Sequence, residues 1–320
     1  MKLIIQIPCY NEAETLEITL NDLPRELEGI DVIEYLVIDD GSTDDTAKVA
    51  QDWGVHHIAR FKQNRGLAKG FMAGLDAALR NGADIIVNTD ADNQYVGADI
   101  ATLIAPILAG EADIVVGARP IAKTPGFSWL KKCLQRFGSW VVRKASHTEV
   151  ADAPSGFRAY SREAAIGVNV INDYTYTLET IVQAGRNHLA IISVPIRTNP
   201  ELRESRLINS MWGYVKKSMV TILRTLMWYR PLTFFSVLAL FPSLIGFGVT
   251  VRFLVAYFTE GGAGHIQSLI LACTLMIIGF VTFVIGLLAD VNATNRRILE
   301  DIQYRMRKMV YDGVDNETDK

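Results

Sequence analysis

Cysteine is scarce in this chain, with three in 320 residues. Cys9, Cys133 and Cys273 lie far apart, are odd in number and show no metal-ligand spacing. Neither a disulfide framework nor a cysteine metal centre is expected, and the pattern fits a reducing compartment. An excess of one charge is lacking too. Lys and Arg number 32 against 35 Asp and Glu, a net charge of -3, with a pI of about 6.0. Bulk charge therefore gives no support for a nucleic-acid partner. No Gly-x-Gly-x-x-Gly follows the first apolar run and no Gly-Lys-Ser/Thr loop occurs, which disfavours a dinucleotide fold or a P-loop enzyme. The N-terminal apolar run, Leu3 to Ile7, is too short for a signal peptide. Long hydrophobic runs are missing before residue 231 and account for most of the mean hydropathy of +0.17 after it.

What is present before residue 200 is an alternation of short apolar runs and helical patterns. Leu3–Ile7, Ile33–Ile38, Val55–Ala59, Ala83–Val87, Asp113–Gly117 and Leu189–Ile196 read as strands. Glu12–Leu27 carries Leu16, Leu20, Leu23 and Leu27 at helical spacing, and Gly66–Arg80 and Tyr174–Ala184 read as further helices. Ser42 or Thr43 is expected to cap another helix, with Asp44 and Asp45 in its first turn. This order predicts an α/β domain with a mostly parallel sheet covered by helices on both faces. Ligands in such sheets sit outside the carboxyl ends of the strands. Three of those ends carry unusual polar residues: Pro8 to Glu12, Asp39-Asp40, and Asp90 to Gln94.

The last is the most informative stretch. A buried-looking strand ends on Asp90 and Asp92, with Gln94 two residues further on. Residues two apart on an extended segment point the same way, so the three can converge on one point. Oxygen ligands of this kind suit a hard cation, Mg²⁺ or Mn²⁺, that keeps positions for substrate phosphates. A plain turn rich in Asp and Asn gives the same residues.

Ile-Pro-Cys-Tyr-Asn-Glu (7–12), Val-Ile-Asp-Asp-Gly-Ser-Thr-Asp (37–44), Asn-Arg-Gly-Leu-Ala-Lys-Gly (64–70) and Thr-Asp-Ala-Asp-Asn-Gln (89–94) occur in order. Together they resemble the family-two inverting glycosyltransferases with a glycosyltransferase A-type, Rossmann-like fold. Within that family the chain is similar to the polyisoprenyl-phosphate glycosyltransferases, the dolichyl-phosphate mannose synthase group, over about residues 1 to 210. The resemblance implies that Pro8, Tyr10, Glu12, Ile38 and Asp40 line the nucleobase and ribose pocket. It implies that Asp90 and Ala91 contact the nucleotide sugar, that Asp92 and Gln94 hold a divalent cation on the diphosphate, and that Arg119 approaches sugar or phosphate. The run from Asp152 to Arg162 resembles the family's acceptor-side motif. Asp152 would act there as a base or, since a lipid phosphate is already an anion, only orient Arg158 or Arg119. Arg158, Arg203 and Arg206 are the expected contacts for a lipid phosphate, and Arg206 also for the donor diphosphate, since a guanidinium fork matches phosphate geometry.

Trp129, Phe137 and Trp140 among Lys131, Lys132, Arg136, Arg143 and Lys144 read as a basic amphipathic helix, lying on anionic lipid headgroups or forming a solvated face. Residues 208–231 read as an interfacial helix. Leu232–Val251 and Ile266–Ala289 are uncharged runs of bilayer length joined by a short link from Thr259 to His265, so a transmembrane hairpin over 232–289 is expected, with spans of about 232–257 and 266–289. Residues 290–320 are expected to form a further amphipathic helix and a disordered acidic tail. Arg224 and Arg230 precede the hairpin, and Arg296, Arg297, Arg305, Arg307 and Lys308 follow it, while the link has no Lys or Arg. The positive-inside rule then puts both ends and the 1–207 domain in the cytoplasm, with Arg252 a mild departure.

These features lead to one expected activity. A sugar moves from a nucleoside-diphosphate sugar, UDP- or GDP-linked, to a polyisoprenyl (undecaprenyl or dolichyl) phosphate at the cytoplasmic face of the cell membrane. A homo-oligomer is compatible with the hairpin. A processive polysaccharide synthase is disfavoured by the absence of a Gln-x-x-Arg-Trp motif and of further spans. A non-catalytic scaffold is disfavoured by the intact Asp90, Asp92 and Gln94 set.

Overall fold

The computed structural model describes residues 1–120, 148, 150–170, 176–200, 220, 223–224, 227–228, 230–261 and 266–318. They form two compact units, Met1–Met219 with Ile302–Lys320, and Val220–Asp301.

The first unit is a seven-stranded sheet flanked by helices. Its elements run β1 (Lys2–Cys9), α1 (Ala13–Asp22), β2 (Val32–Asp39), α2 (Thr46–Trp53), β3 (His57–Arg60), α3 (Leu67–Arg80), β4 (Ile85–Asn88), α4 (Ile100–Leu108), β5 (Ile114–Ala118), β6 (Arg158–Ser161), α5 (Arg162–Gly167), α6 (Thr177–Arg186) and β7 (Ile191–Pro195). The spatial order is β3-β2-β1-β4-β6-β5-β7. β1 sits centrally, parallel to both β2 and β4. Leu3, Ile4, Ile5 and Ile7 are fully buried on its two faces, which is why this strand reads as a near-continuous apolar run. Burial of each such side chain contributes about 1.5–3 kcal/mol relative to exposure.

The expected mostly parallel sheet is present, with one departure. β6 inserts antiparallel between β4 and β5. Its four residues, Arg-Ala-Tyr-Ser, alternate with no clear apolar face, and the run shows no strand signal by pattern. Helix α1 ends five residues earlier than the leucine spacing predicts. Leu23 turns extended, with φ -73° and ψ 141°, because Pro24 disfavours the helical conformation of the residue before it. Ser42 does not cap α2. Nor does Thr43: the N-cap position is Asp45, which makes no side-chain cap bond, while Asp44 Oδ1 accepts from Thr46 N at 3.0 Å just ahead of the helix.

The second unit holds α7 (Pro231–Glu260) and most of α8 (Ile266–Thr318). Both helices are long and apolar enough to cross a membrane, by length and composition, with 11% and 17% of the apolar windows buried. They meet through small residues. A β-carbon on Gly246 would stand 3.1 Å from the Ala272 carbonyl, and one on Gly279 would stand 3.1 Å from the Ala239 carbonyl and collide with Ser243. Such close approach is how helices associate where burial from water no longer drives them together. The expected break after the second span does not occur. α8 continues unbroken to Thr318, so the tail expected to be disordered is helical over 312–318.

From Ile302 onward α8 packs within the first unit. Lys308 Nζ reaches Glu163 Oε1 at 3.0 Å, Arg307 donates to the Val168 carbonyl at 2.7 Å, and the Tyr311 hydroxyl bonds to Asp76. The expected interfacial helix over 208–231 and the basic helix within 121–147 lie outside the described residues, apart from Val220, Leu223, Arg224, Met227, Trp228 and Arg230 on the former, and Pro231, which begins α7.

Gly279→Leu is expected to destabilise the hairpin by about 1–3 kcal/mol or more through overpacking, read as a lower Tm of the full chain in detergent. Gly248→Leu serves as the control, since nothing lies within 4 Å of a β-carbon there, and it should leave Tm unchanged.

Candidate active site

The loops after β1 and β2 are stitched to each other. Asn11 sits in the left-handed region at φ 56°, a conformation Asn tolerates better than most residues. Its backbone N donates to Ser42 Oγ at 2.9 Å, and its side-chain oxygen accepts from Thr43 N at 2.8 Å. Glu12 N donates to Thr46 Oγ1 at 2.8 Å. This bracing presents Tyr10, 43% exposed, at the rim. Glu12 is partly exposed beside it, with Oε2 accepting from Thr15 at 3.0 Å.

Two expected pocket residues are used differently. Asp40 is buried, and its two oxygens accept from the backbone N of Arg65 at 2.7 Å and of Gly66 at 2.8 Å. It shapes the loop entering α3 instead of offering a free carboxylate. Ile38 is fully buried, and a β-carbon on Gly74 would stand 2.9 Å from its Cδ1. Its side chain is packing beneath α3, not a pocket wall. Pro8 borders the same helix, about 4.0 Å from a β-carbon on Gly70.

A buried polar cluster supports the end of β4. Gln6 donates to Asn88 Oδ1 at 2.9 Å, and Asn88 Nδ2 donates to the Gly156 carbonyl and the Tyr176 hydroxyl, each at 2.9 Å. Gly156 N donates to the Tyr95 hydroxyl at 3.2 Å. Tyr95 stacks on Phe157 with centroids 4.8 Å apart, and Tyr176 on Phe71 at 3.9 Å. Gly156 is thus held at both N and O, and a β-carbon there would stand 3.0 Å from Asp90 Oδ1. The loop before β6 is pressed directly against Asp90. Asn88 and Gly156 carried no expectation from sequence; the available signals were a polar residue ending an apolar strand and a glycine among bulky neighbours.

Burial, and then the charge of neighbouring Asp92, push the Asp90 carboxyl up to about 7, against the pull of Arg119. Arg119 lies at the end of β5 and grips Asp152 with both ends of its fork, Nε to Oδ2 at 2.7 Å and Nη2 to Oδ1 at 3.2 Å. Asp152 is 1% exposed. Both its oxygens face the guanidinium, which is the geometry of an orienting carboxylate and matches the Arg119 alternative. Arg158, expected on a lipid phosphate, is fully buried. Its donors go to the carbonyls of Ser155 at 2.8 Å, Thr177 at 2.8 Å and Ala153 at 2.7 Å, and to Thr180 Oγ1 at 2.6 Å. It braces the loop after Asp152 from within and faces no lipid. Arg203 and Arg206 lie outside the described residues.

Ala91 is buried, and its carbonyl accepts from Thr19 Oγ1 at 3.0 Å. Asp92 and Gln94 are partly exposed, and Gln94 N donates to Asp92 Oδ1 at 3.1 Å. The donor set fits a divalent cation. Two carboxylates repel across the rim, and a hard cation relieves that repulsion with oxygen ligands only. Among the described residues no group of three or more His, Cys, Asp or Glu is placed to hold a metal ion by itself. A hard cation held there would need further oxygen ligands from water or substrate.

The family profile "Glycosyl transferase family 2" matches residues 4–167, which spans every loop just described. The chain belongs to glycosyl transferase family 2. It is thus an enzyme, a glycosyltransferase. The polyprenol monophosphomannose synthase of Mycolicibacterium smegmatis is 27% identical over 65% of this chain and 81% of that protein. The undecaprenyl-phosphate mannosyltransferase of Micrococcus luteus is 29% identical over 70% and 93%. The UDP-N-acetylglucosamine–dolichyl-phosphate N-acetylglucosaminyltransferase of Methanococcus voltae is 28% identical over 65% and 90%. Among solved structures, glucosyl-3-phosphoglycerate synthase from Mycobacterium tuberculosis, in complex with Mn²⁺ and UDP, superposes with a TM-score of 0.55 at 20% identity, covering 71% of this chain and 78% of that one. That likeness shows the glycosyltransferase A-type fold.

Two outcomes follow for this family-two domain. The Asp90 carboxyl is raised from 3.8 to about 7, so its contribution to stability is complete below pH 4 and lost as pH rises through 7. Asp90→Asn should therefore raise the Tm of metal-free protein at pH 8 and make no difference near pH 4, each kcal/mol relieved being worth about 2–4 °C in a domain of this size. Arg158→Met leaves several buried carbonyls unpaired and is expected to cost about 3–5 kcal/mol, measured by denaturant unfolding. An unchanged stability with a raised KM for acceptor would instead return Arg158 to the lipid phosphate.

Proposed function

We propose that this glycosyltransferase moves a sugar from a nucleoside-diphosphate sugar to a polyisoprenyl phosphate at the cytoplasmic face of a membrane, inverting the anomeric carbon. The observation that carries the reading is one chain joining a family-two catalytic domain to two exposed apolar helices of bilayer length. A domain with a water-soluble donor has use for such helices when its acceptor resides in the bilayer. The relatives named for polyprenol, undecaprenyl and dolichyl phosphate support the same acceptor class. Arg and Lys on the outer flanks of the hairpin support the cytoplasmic side.

In this reading the exposed ring of Tyr10 stacks on the nucleobase, and Glu12 accepts from the base or a ribose hydroxyl. Asp90 meets the sugar. Asp92 and Gln94 hold Mg²⁺ or Mn²⁺, which when bound neutralises charge on the departing diphosphate. An acceptor phosphate oxygen attacks the anomeric carbon, and the bond to the diphosphate oxygen breaks, with the electron pair leaving on the nucleoside diphosphate. The attacking oxygen is already anionic, so positioning does the work that a base does elsewhere. Arg119, fixed by Asp152, supplies positive charge at the rim. Arg203 and Arg206 are further candidates for phosphate contact, Arg206 for the diphosphate as well.

The test is transfer of labelled sugar from UDP- and GDP-sugars into an organic-extractable product, using the full chain with polyisoprenyl phosphate. Product is expected with Mg²⁺ or Mn²⁺ and none with EDTA. Asp92→Ala is expected to abolish transfer with Tm unchanged. Water-soluble product only, or full activity of Asp92→Ala, would overturn the reading.

A further inference from the structure

We propose that Asn199 is a positioning residue for the cation-binding loop. The proposal rests on the reading that Asp92 and Gln94 hold the ion. Three successive carbonyls of that loop are taken by this one residue. Asn199 Nδ2 donates to the Asn93 carbonyl at 3.1 Å and to the Tyr95 carbonyl at 3.3 Å, and Asn199 N donates to the Gln94 carbonyl at 2.9 Å. The neighbouring residue Thr198 forms an isolated antiparallel bridge with Tyr95.

The loop turns at Asn93, which has φ 55°, in the left-handed region that Asn adopts more readily than other non-glycine residues. That reversal sits between the two expected ligands. With it, Gln94 N folds back onto Asp92 Oδ1 at 3.1 Å. The segment turns here, so Asp92 and Gln94 are not related by the extended-segment alternation expected from the sequence; the reversal at Asn93 sets their placement instead. Thr19 fixes the near end of the loop through the Ala91 carbonyl, and Asn199 fixes the far end.

Asn199 is itself held from both sides. Pro200 follows it and biases its backbone toward the extended region. Two residues upstream, Arg197 binds Asp99 through its backbone N at 2.6 Å and through Nε and Nη2 at 2.9 and 2.6 Å. The amide side chain matters because its nitrogen carries two donors for two carbonyls. A carboxylate of the same shape offers none.

The experiment titrates Mn²⁺ by electron paramagnetic resonance against full-length chain in detergent, with UDP or GDP present. Asn199→Ala and Asn199→Asp are compared with Asp92→Ala and with Arg197→Ala. Both Asn199 variants are expected to weaken Mn²⁺ binding about 10–100-fold, the usual effect of losing a supporting residue behind a ligand. Arg197→Ala, which leaves the loop carbonyls bonded, is expected to stay near wild type. Hydrogen exchange in metal-free protein should quicken over residues 92–96 in both Asn199 variants. Unchanged Mn²⁺ binding in the Asn199 variants, with binding lost in Asp92→Ala, would overturn this inference alone. Unchanged binding in Asp92→Ala would overturn the ligand reading beneath it. Equal loss in Arg197→Ala and Asn199→Ala would reduce Asn199 to general anchoring of its segment and overturn the specific role.

Discussion

The burial of Asp90 beside a second carboxylate, Asp92, is the constraint on which the candidate site depends. Desolvation first, and then the charge of Asp92, make ionising both acids costly, and the raised Asp90 carboxyl expresses that cost. Everything around the pair holds the two acids in place. The Gln6–Asn88–Gly156 hydrogen bonds press the loop before β6 against Asp90. Thr19 and Asn199 hold the backbone on either side of Asp92 and Gln94. Arg119, locked to Asp152, is the described cation whose charge acts on Asp90.

The sheet explains why these groups meet. β1 is flanked by parallel β2 and β4, so Tyr10, Asp40 and Asp90 emerge at one edge. Inserting β6 antiparallel between β4 and β5 brings Gly156 and Asp152 back to that same edge from a distant part of the chain. The loops after β1, β2 and β4 and the loop before β6 therefore meet at one end of the sheet. Arg158 then serves as an internal strut, its guanidinium tying the returning loop to α6.

Much of this was legible in the sequence, and the failures have physical causes. β1, β2, β4 and β5 read well because each is largely a buried apolar run, and the rim acids stand out because they follow those runs; β6, Arg-Ala-Tyr-Ser, has no such run. Arg158 misled because an arginine two residues after Gly156, in a run resembling an acceptor-side motif, has the composition of a phosphate site, whereas its burial depends on where β6 inserts. Ile38 in β2 and Asp40 just after it lie where the sequence placed them, but Ile38 packs under α3 and Asp40 bonds the backbone leading into it, which sequence spacing does not reveal. Pro24 shortened α1 by a local rule that was available. The unbroken α8 was hidden because the change from apolar to charged residues near 290 resembles an end, while helical propensity continues across it.

The central claim is that a divalent cation held by the rim acids joins the donor diphosphate to the protein. The most direct measurement is a thermal-shift panel of UDP- and GDP-sugars, each with Mn²⁺ and with EDTA, on the full chain. A donor that binds the folded state raises its Tm by mass action. The account predicts that sugars of one nucleotide stabilise the protein with Mn²⁺ and lose that effect with EDTA. Equal stabilisation in EDTA, or none by any nucleotide sugar with Mn²⁺, would contradict it.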